Sequence, residues 1–382
     1  MALLEAAYQE FRSEVREFCE REIVPHAEKW DREEAISEDI IQKLAKKGYL
    51  GLTVPGEYGG QGKDSLYYAI LNEELGRACS SVRSLVTVHG SLVSETMARW
   101  GTREQKSTLL PRLAKGELIA AYGLSEPEVG SDAKSVETSY QEHDDYYELN
   151  GQKKWITFAT RADIIVIVAK NGEHVSTFLV HRTDPGVKIE KIHGMLGTSA
   201  SGLGLITLEN CRIPKDRLFG MKGMGFIQIT NTALDNGRFS VATGALGIAL
   251  ASLEHSISYA NERKTFGVPI GDHQLIKKKI ADMTVAVKAA RLLCYHAAEV
   301  RDRKDPSTYV HTTLAKYHAS KAATMAATEA VQIHGAVGCL NTHPVQRLFR
   351  DARIMEIIEG TSEIQQLLLS NYALKNLTDI ID

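Results

Sequence analysis

Two serines, Ser125 and Ser131, stand in a short segment that also contains Pro127 and Gly130. Proline and glycine interrupt regular structure, so the segment is predicted to be a turn whose backbone N–H groups serve neither a helix nor a sheet. Such N–H groups, together with two hydroxyls, can bind a pyrophosphate or the polar edge of a ring. Taken alone, the segment is better explained as a solvated turn. Whether it binds a ligand must be judged together with the other segments.

A second chemistry is suggested by Ser131 and Lys134, which match the Ser-x-x-Lys spacing of serine acyl-hydrolases. A four-residue pattern arises often by chance, and the companion Ser-Asp-Asn motif is absent. The glycine-rich nucleotide motifs, His-Glu-x-x-His and Gly-x-Ser-x-Gly are absent as well. Hydrolase, nicotinamide, P-loop and zinc-protease chemistry are therefore disfavoured.

Trp155 and Thr157 form the next candidate pair. They follow Asn150-Gly151, a dipeptide that predicts a hairpin turn because both residues tolerate positive φ. Alternation along the strand then places both side chains on one face. An indole offers an aromatic surface and a threonine offers a hydroxyl, but a strand tryptophan is more often part of the core.

Charged candidates lie in the last third of the chain. Arg263 stands near the end of a long helical stretch, and an arginine fork can grip phosphate oxygens, although an exposed helix-end arginine is the simpler explanation. Asp235 and Arg238 could bind a substrate or form a helix-surface ion pair. Glu359, within Ile358-Glu359-Gly360-Thr361, is by itself only one of 48 acidic residues.

Hydrophobic periodicity predicts the elements that must position these residues. A helical pattern runs to about residue 115, short β-rich runs fill about 120–217, and helical spacing resumes at about 224. Asn150-Gly151 and Asn171-Gly172 predict two hairpins. We therefore predict an α+β multidomain protein with an N-terminal all-α domain (1–118), a middle antiparallel β-barrel domain with a sandwich as the alternative (119–218), and a C-terminal four-helix bundle domain (219–382).

Composition narrows the class further. The 45 basic and 48 acidic residues give a formal net charge of −3, which disfavours a nucleic-acid or anionic-membrane partner. With 43% hydrophobic residues the chain can form a core. The five cysteines are scattered without a CxxC pair, so no metal site is predicted. The lack of a signal peptide or an apolar span predicts a cytoplasmic protein.

Four segments in one order together resemble the acyl-CoA dehydrogenase family of flavoenzymes. They cover residues 122–132 (YGLSEPEVGSD), 151–157 (GQKKWIT), 262–267 (ERKTFG) and 358–364 (IEGTSEI). Each motif alone is weak, but their ordered occurrence over nearly the whole chain is specific. The resemblance implies FAD as cofactor and the oxidation of a saturated acyl thioester to an enoyl thioester.

The resemblance also implies roles for single residues. Thr157 would hydrogen-bond flavin N5, Trp155 would cover the flavin, and Arg263 would reach the pyrophosphate of a flavin held mainly by a neighbouring subunit. The active unit would then be at least a dimer, and a homotetramer is expected. The cofactor-binding set implied is Tyr122, Leu124, Ser125, Gly130, Ser131, Trp155, Thr157, Arg263, Thr265, Phe266, Gln274, Gln332, Thr361 and Glu363.

Glu359 matches the family's catalytic base, which removes the α-proton while the β-hydrogen leaves as hydride to flavin N5. Some relatives carry the base just before the arginine of an earlier helix, but here that position is Gly237, which has no side chain. Loss of water around a carboxylate raises its pKa and makes it a better base. The substrate-binding set implied is Ser131, Asp235, Arg238 and Gly360, with the Glu359 backbone N–H on the thioester oxygen.

The sequence departs from the family pattern at several positions. Ser125 replaces a commoner threonine and keeps the hydroxyl, whereas Glu363 replaces a glutamine and adds a charge. Gly335-Ala336 replaces two glycines. Ile358 and Cys339-Leu340 stand where aromatic residues are frequent, so a reshaped acyl pocket is expected.

Three functional hypotheses follow. The first is FAD-dependent dehydrogenation of an acyl-CoA, with an electron-transfer flavoprotein or oxygen as acceptor. The second places the acyl group on a carrier protein of an antibiotic pathway, because Glu128-Val129 and residues 238–242 resemble that branch. The third is a catalytically silent flavoprotein or scaffold, against which the presence of Glu359 argues.

Overall fold

The first part of the chain is helical, as predicted. The structure is a computed structural model that describes residues 5–376, so the outermost residues of the first and last predicted domains lie outside it. Phe11, Val15 and Phe18 share one buried face of the first helix. The helices are α1 (Ala6–Glu22), α2 (Ala27–Glu33), α3 (Glu38–Lys46), α4 (Ser65–Ala78), α5 (Ser80–Leu85), α6 (Thr96–Trp100) and α7 (Arg103–Ala114).

Side-chain caps fix several of these helix starts. Asp64 accepts hydrogen bonds from two backbone N–H groups at the start of α4. Thr102 and Gln105 form a reciprocal capping box at the start of α7. Between α5 and α6 the chain continues as a wider, π-helical segment over Val86–Glu95, which is buried almost throughout. Wide turns of this kind are frequent at functional sites.

The middle part forms one sheet of eight strands. They are β1 (Ala120–Gly123), β2 (Ser139–Glu142), β3 (Tyr146–Ile156), β4 (Ile164–Asn171), β5 (His174–His181), β6 (Val187–Lys191), β7 (Gly204–Pro214) and β8 (Leu218–Phe219). Seven of them lie in the order β6-β7-β3-β2-β4-β5-β8. The predicted antiparallel barrel is wrong in two respects: the sheet does not close on itself, and β1 pairs with β4 in parallel.

One of the two predicted hairpins is present. Gly172, with φ of 57°, lies in the turn that joins the antiparallel strands β4 and β5. Asn150 and Gly151 instead lie inside β3, at a register shift against β7. A Cβ at Gly151 would stand 2.7 Å from the Thr138 backbone, so glycine is required there by close contact. The dipeptide therefore forms a β-bulge, not a turn.

The last part is helical again, which confirms the predicted order of helical, sheet-containing and helical regions. Helices α8, α9 and α10 are long, and α10 packs on both of the others. A small hairpin of β9 (Lys264–Thr265) and β10 (Val268–Pro269) follows α8. The helices are α8 (Asn231–Glu262), α9 (Gln274–Asp302), α10 (Thr308–His334), α11 (Pro344–Met355) and α12 (Ser362–Ala373).

Helix α8 runs through the centre of the molecule and carries buried glycines where other groups approach it closely. A Cβ at Gly247 would overlap the backbone of α4 at Glu73. A Cβ at Gly244 would stand 2.7 Å from Cδ of Arg83. Glycine lowers helix stability by about 1 kcal/mol relative to alanine. At Gly244 and Gly247 the missing side chain allows Arg83 and helix α4 to pack directly against α8.

Candidate active site

Glu359 lies in the turn between α11 and α12 and adopts a left-handed backbone conformation, with φ of 54°. Its carboxylate reaches towards Gly237 of α8, where any Cβ would overlap Oε2. Oε2 is buried and has no hydrogen-bond partner among the described residues. A left-handed conformation is unfavourable for a residue other than glycine, and such residues cluster at functional sites.

The charge on Glu359 is controlled by burial and by nearby cations. Burial raises the pKa of this carboxyl to about 7, while the charges of Arg238, Lys316 and Arg83 act in the opposite direction. Burial also lowers the pKa of Lys316 to about 8. We call Arg83, Arg238, Lys316 and Glu359 the inner wall. A carboxylate without a hydrogen-bond partner and with a pKa near 7 is suited to accept a proton at neutral pH.

The turn that carries Glu359 is fixed through its backbone carbonyl groups. Lys316 Nζ donates to the Gly360 carbonyl at 2.7 Å. Gln365 Nε2 donates to the carbonyls of Glu359 and Gly360 at 3.2 and 3.0 Å. Arg238 Nε donates to the Glu359 carbonyl at 3.3 Å. Lys316 and Gln365 were not identified from the sequence, because their role depends on contacts between distant helices.

Asp235 and Arg238 separate in the structure. Asp235 forms an ion pair with Arg301 of α9, and Arg301 also donates to Asn236 Oδ1 at 2.6 Å. Arg238 instead lies beside Glu359. Asp235 and Arg238 therefore do not form a helix-surface ion pair with each other, because Asp235 pairs with Arg301 of another helix. Arg238 is the one of the two that lies beside the candidate base.

The predicted turn at 124–131 is tied to β3 by a buried ion pair. Lys153 Nζ donates to Glu126 Oε1 at 2.6 Å and to the Leu124 carbonyl at 3.1 Å. The Ser125 carbonyl accepts from the Lys154 N–H at 2.9 Å. Removing one partner of a buried pair leaves an uncompensated charge, so Lys153 and Glu126 fix the position of this turn. Neither Lys153 nor Glu126 was predicted from the sequence, because their pairing joins segments that are distant along the chain.

Tyr122 lies at the base of the same turn. It is buried, and its hydroxyl donates to Thr230 Oγ1 at 3.0 Å. Burial, and more weakly the Glu359 charge, raise the pKa of Tyr122. Gly130 and Ser131 are exposed at the far end of the turn, and no atom lies within 4 Å of a Cβ built at Gly130.

Trp155 is not a core residue, since 46% of it is exposed. It has φ of 65° and lies at a second register shift of β3 against β7. Ile156 is buried, whereas Thr157 is only partly buried and its hydroxyl has no hydrogen-bond partner within residues 5–376. An exposed indole and a free hydroxyl therefore lie on either side of a buried residue.

Arg263, Thr265, Phe266 and Gln274 form what we call the outer corner. Helix α8 ends at Glu262, directly before Arg263, and Thr265 and Phe266 belong to the hairpin of β9 and β10. Phe266 is 96% exposed at the hairpin tip. Arg263 is exposed and has no ion-pair partner in the described part of the chain. Gln274 begins α9.

The remaining predicted residues lie at helix ends. Thr361 caps α12 by accepting a hydrogen bond from the Ile364 N–H at 3.4 Å, and Glu363 lies exposed in the first turn. Thr361 thus caps the helix, and the negative charge of Glu363 is favourable at the helix start, whether or not either residue binds a ligand. Gln332 is exposed near the end of α10, beside Gly335.

Other reactive side chains are accounted for. Cys19, Cys79, Cys211 and Cys294 are buried free thiols, and Cys339 is exposed. His89 accepts from the Ala120 N–H and contacts the Leu113 carbonyl, and burial lowers its pKa to about 4. Within residues 5–376 no group of acidic, His and Cys side chains could hold a metal ion, and no helix has the length and apolarity to cross a membrane.

The structure combines a buried, unpartnered carboxylate in the turn between two helices with a sheet region that presents an exposed indole, and this combination is consistent with a flavin-dependent oxidoreductase. Family models for the N-terminal, middle and C-terminal domains of acyl-CoA dehydrogenases match residues 5–117, 121–211 and 223–374. The chain belongs to the acyl-CoA dehydrogenase family. Its members are FAD-dependent oxidoreductases that act on a CH–CH bond of an acyl thioester.

Similar proteins cover nearly the whole chain. The mitochondrial short-chain specific acyl-CoA dehydrogenase of Mus musculus is 40% identical over 378 residues, 98% of this chain and 91% of that protein. Butyryl-CoA dehydrogenase from Megasphaera elsdenii has a TM-score of 0.95 at 32% identity, covering 98% of this chain and 100% of that one. The prolyl acyl carrier protein oxidase AnaB has a TM-score of 0.93 at 30% identity, covering 97% and 99%.

The residues present fit the family's cofactor. The Thr157 hydroxyl and the Arg263 guanidinium have no partner of their own within the described residues, and the Trp155 indole is half-exposed. Gly130 is exposed and nothing lies within 4 Å of a Cβ built there, so there is space for a ligand beside this turn. A hydroxyl, an aromatic surface and a phosphate-binding cation are what a flavin dinucleotide requires.

Proposed function

We propose that Glu359 is the catalytic base of this enzyme and removes the α-proton of a bound acyl thioester. The observation that carries the proposal is the buried Oε2, which lies opposite Gly237 without a hydrogen-bond partner. Because its pKa is near 7, the carboxylate is ionised in about half of the molecules at neutral pH and can accept a proton. FAD, when bound, supplies the acceptor for the β-hydride, so the thioester loses two hydrogens in total.

The neighbouring residues would hold the reactants. Trp155, Thr157, Ser125 and the turn at 122–131 would bind the flavin ring, and the Glu359 and Gly360 N–H groups would bind the thioester oxygen. Binding at that oxygen stabilises the charge that develops when the α-proton leaves. Arg238, partly buried beside Glu359, would face the pantetheine side of the substrate.

The test combines cofactor content with substrate-dependent bleaching of the flavin. The purified protein should be yellow, or become so with added FAD, and one of a panel of saturated acyl thioesters should bleach it without oxygen. Glu359→Gln should keep FAD and lose bleaching by about 10²–10⁴-fold, the usual contribution of a general base. Bleaching of the variant at the wild-type rate would remove Glu359 from this role.

A second candidate substrate is an acyl group on a carrier protein, supported by the similarity to AnaB, which is named as an acyl carrier protein oxidase. Both kinds of substrate share the pantetheine arm, and only CoA adds an adenine nucleotide. Comparing kcat/KM for one acyl group on CoA and on a carrier protein separates them. A preference of more than about tenfold, or 1.4 kcal/mol, assigns the natural carrier.

The assembly is proposed to be a homotetramer in which the outer corner of one subunit binds the FAD of another. Support comes from the exposed apolar residues Phe266, Leu275, Val285 and Leu292, which are 96%, 75%, 69% and 50% exposed. Light scattering during size-exclusion chromatography measures the mass of the assembly.

The proposed domain boundaries remain 1–118, 119–218 and 219–382. The proposed electron acceptor remains an electron-transfer flavoprotein or oxygen.

A further inference from the structure

A cavity of about 370 Å³ lies between the N-terminal helices and the start of α11. Its walls come from α1, α2, α4 and α8 and from residues 341–348, which lead into α11. None of the residues predicted above to bind FAD or the substrate lines this cavity. One water molecule needs roughly 10–15 Å³, and small-molecule sites have volumes of about 300–1000 Å³. The cavity is therefore large enough for a small organic ligand.

Arg347 of α11 is the charged side chain of this wall that has no ion-pair partner among the described residues. It is only 8% exposed. Nη2 reaches the Ala78 carbonyl at 3.4 Å, and Nε has no hydrogen-bond partner within residues 5–376. Asp351, one turn further along α11, accepts from the Thr198 N–H at 2.6 Å instead. Because a guanidinium carries five N–H groups, Arg347 retains the capacity to bind an anion.

The carboxylates of the cavity wall do not supply that anion. Glu20 and Glu254 both pair with Arg77 of α4. Glu28 pairs with Arg32, one turn further along α2, at 3.6 Å. These three glutamate side chains are 51%, 38% and 40% exposed, so water and salt screen their charges. The buried arginine is screened much less and is left unpaired.

Two imidazoles add hydrogen-bond donors to the same wall. Neither ring nitrogen of His255 has a hydrogen-bond partner in the part of the chain that the structure describes. Burial lowers the pKa of His255 to about 4, so at neutral pH the ring is uncharged and carries one N–H. His343 Nδ1 accepts from the Val345 N–H at 3.4 Å, which leaves the proton of the neutral ring on Nε2.

The start of α11 also faces the cavity. Residues 341–344 line the cavity, and the helix that begins at Pro344 has 12 residues. The N-terminus of a helix carries a partial positive charge and favours anions. A buried unpaired arginine, two neutral N–H donors and this helix start therefore surround one space.

We propose that this cavity binds a small organic phosphate, with Arg347 as the main charged contact of the phosphate group. The tetrahedral oxygens of a phosphate can accept hydrogen bonds from α8 and α11 at the same time, whereas the two oxygens of a carboxylate lie in one plane. The remaining volume takes the organic part of the ligand. The site is separate from the proposed flavin and thioester sites, so the proposal does not depend on the role of Glu359.

The experiment is calorimetry on the FAD-saturated protein, so that the flavin occupies its own site. The probes are inorganic phosphate, glucose 6-phosphate and AMP, and malonate is the carboxylate control. One of the two esters should bind most tightly, with a Kd below about 1 mM, and at least about tenfold more tightly than malonate. The tighter ester shows whether a sugar or a nucleoside part is preferred. Tightest binding of inorganic phosphate or malonate, or no binding at about 10 mM of any probe, would overturn the proposal.

Variants locate the binding in this cavity. Arg347→Met should weaken binding of the best probe at least about tenfold, as expected for lost charge-assisted hydrogen bonds. Arg347→Lys should lose at least about threefold, because a point charge replaces the planar fork. His255→Phe should cause a smaller loss. Arg353→Met removes an exposed arginine of α11 that does not line the cavity and should leave the affinity unchanged.

Thermal melting gives an independent readout and checks folding. The best probe should raise the melting temperature of the wild-type protein and raise it less in Arg347→Met, because a ligand stabilises the folded state that binds it. If Arg347→Met does not fold, Arg347→Lys and His255→Phe decide. Undiminished affinity in a folded Arg347→Met protein, or in both of the other variants, contradicts the proposal.

Discussion

The inner wall and the outer corner are built in opposite ways. Around Glu359 the charged groups are buried, and backbone carbonyls are held by donors from α8, α10 and α12. At the outer corner Phe266 is almost fully exposed, and Arg263 has no ion-pair partner among the described residues. A single chain therefore positions the proposed base completely, whereas the corner requires a ligand or another subunit to be useful.

This difference separates two kinds of variant. Changes in the inner wall should alter the rate of flavin reduction and leave FAD content unchanged. Changes in the outer corner should alter FAD content and leave the rate per bound FAD unchanged.

Gly237→Ala should lower the rate of flavin reduction by about 100- to 1000-fold, because the new methyl occupies the position of the Glu359 carboxylate. Stopped-flow absorbance under anaerobic conditions measures the rate, and the flavin spectrum measures FAD content. Gly56→Ala is the matched control, since nothing lies within 4 Å of a Cβ there. A normal rate in the Gly237→Ala protein would show that the Glu359 carboxylate can move away from the new methyl group and still function.

The pH dependence of kcat/KM should follow the ionisation of Glu359. Below a pKa of about 7 the base is protonated, so kcat/KM should fall about tenfold per pH unit and about 100-fold by pH 5. The pKa of Glu359 in the folded protein lies above its ordinary value of 4.5, so the folded protein holds this proton more tightly than the unfolded chain does. Proton binding therefore stabilises the fold at low pH, and this stabilisation is lost as pH rises from about 4.5 to 7. Thermal melts of wild type and Glu359→Gln should diverge over that range.

Lys316 gives this pH profile a further check. Its charge lowers the pKa of Glu359, so Lys316→Met should move the falling limb of the profile to higher pH. A merely structural lysine would reduce the rate at every pH and leave the midpoint in place. Lys304→Met, at an exposed lysine beyond α9, is the charge-matched control.

Arg263→Ala should weaken FAD binding by about 10- to 100-fold, the value of a charge-assisted contact to phosphate. The rate of the FAD-saturated variant should stay within about threefold of wild type. Arg303→Ala is a matched control, because Arg303 is also an exposed arginine directly after a long helix. Loss of rate at full FAD occupancy would mean that the corner acts in catalysis.

Phe266→Ala should have the smallest effect, a few-fold loss of FAD affinity together with weaker subunit association. The side chain is 96% exposed and its ring pairs with the His273 ring, so removing it should leave the melting temperature of the single chain unchanged. Dilution followed by light scattering measures association. Unchanged association would remove Phe266 from the proposed interface.

Much of this arrangement was predictable from local patterns. Hydrophobic periodicity predicted the helical, sheet-containing and helical regions because each depends on neighbours in sequence. Glu359 and Gly237 were identified by their places in motifs. The structure brings the two residues together, with the Glu359 carboxylate opposite Gly237. Whether the remaining motif residues contact FAD is still a prediction.

The rest depends on contacts between distant segments. Arg83, Lys316 and Gln365 carry no motif, and their importance follows only from where α8 and the 356–361 turn lie. Asn150-Gly151 was misread because glycine with a positive φ occurs both in hairpin turns and in bulges, and only the partner strand distinguishes the two. Asp235 forms an ion pair with Arg301 of α9, a contact that spacing along the sequence could not indicate.

The glycines of α8 have a consequence for protein engineering. Replacing helical glycine by alanine is a standard route to a more heat-resistant protein, and α8 offers three buried candidates, Gly237, Gly244 and Gly247. Each would collide with the group it accommodates, namely the Glu359 carboxylate, the Arg83 side chain or the α4 backbone. Substitutions chosen for helix propensity alone would therefore be expected to disrupt the structure at these three glycines. The glycines of α8 should be excluded from a library designed to raise thermal stability.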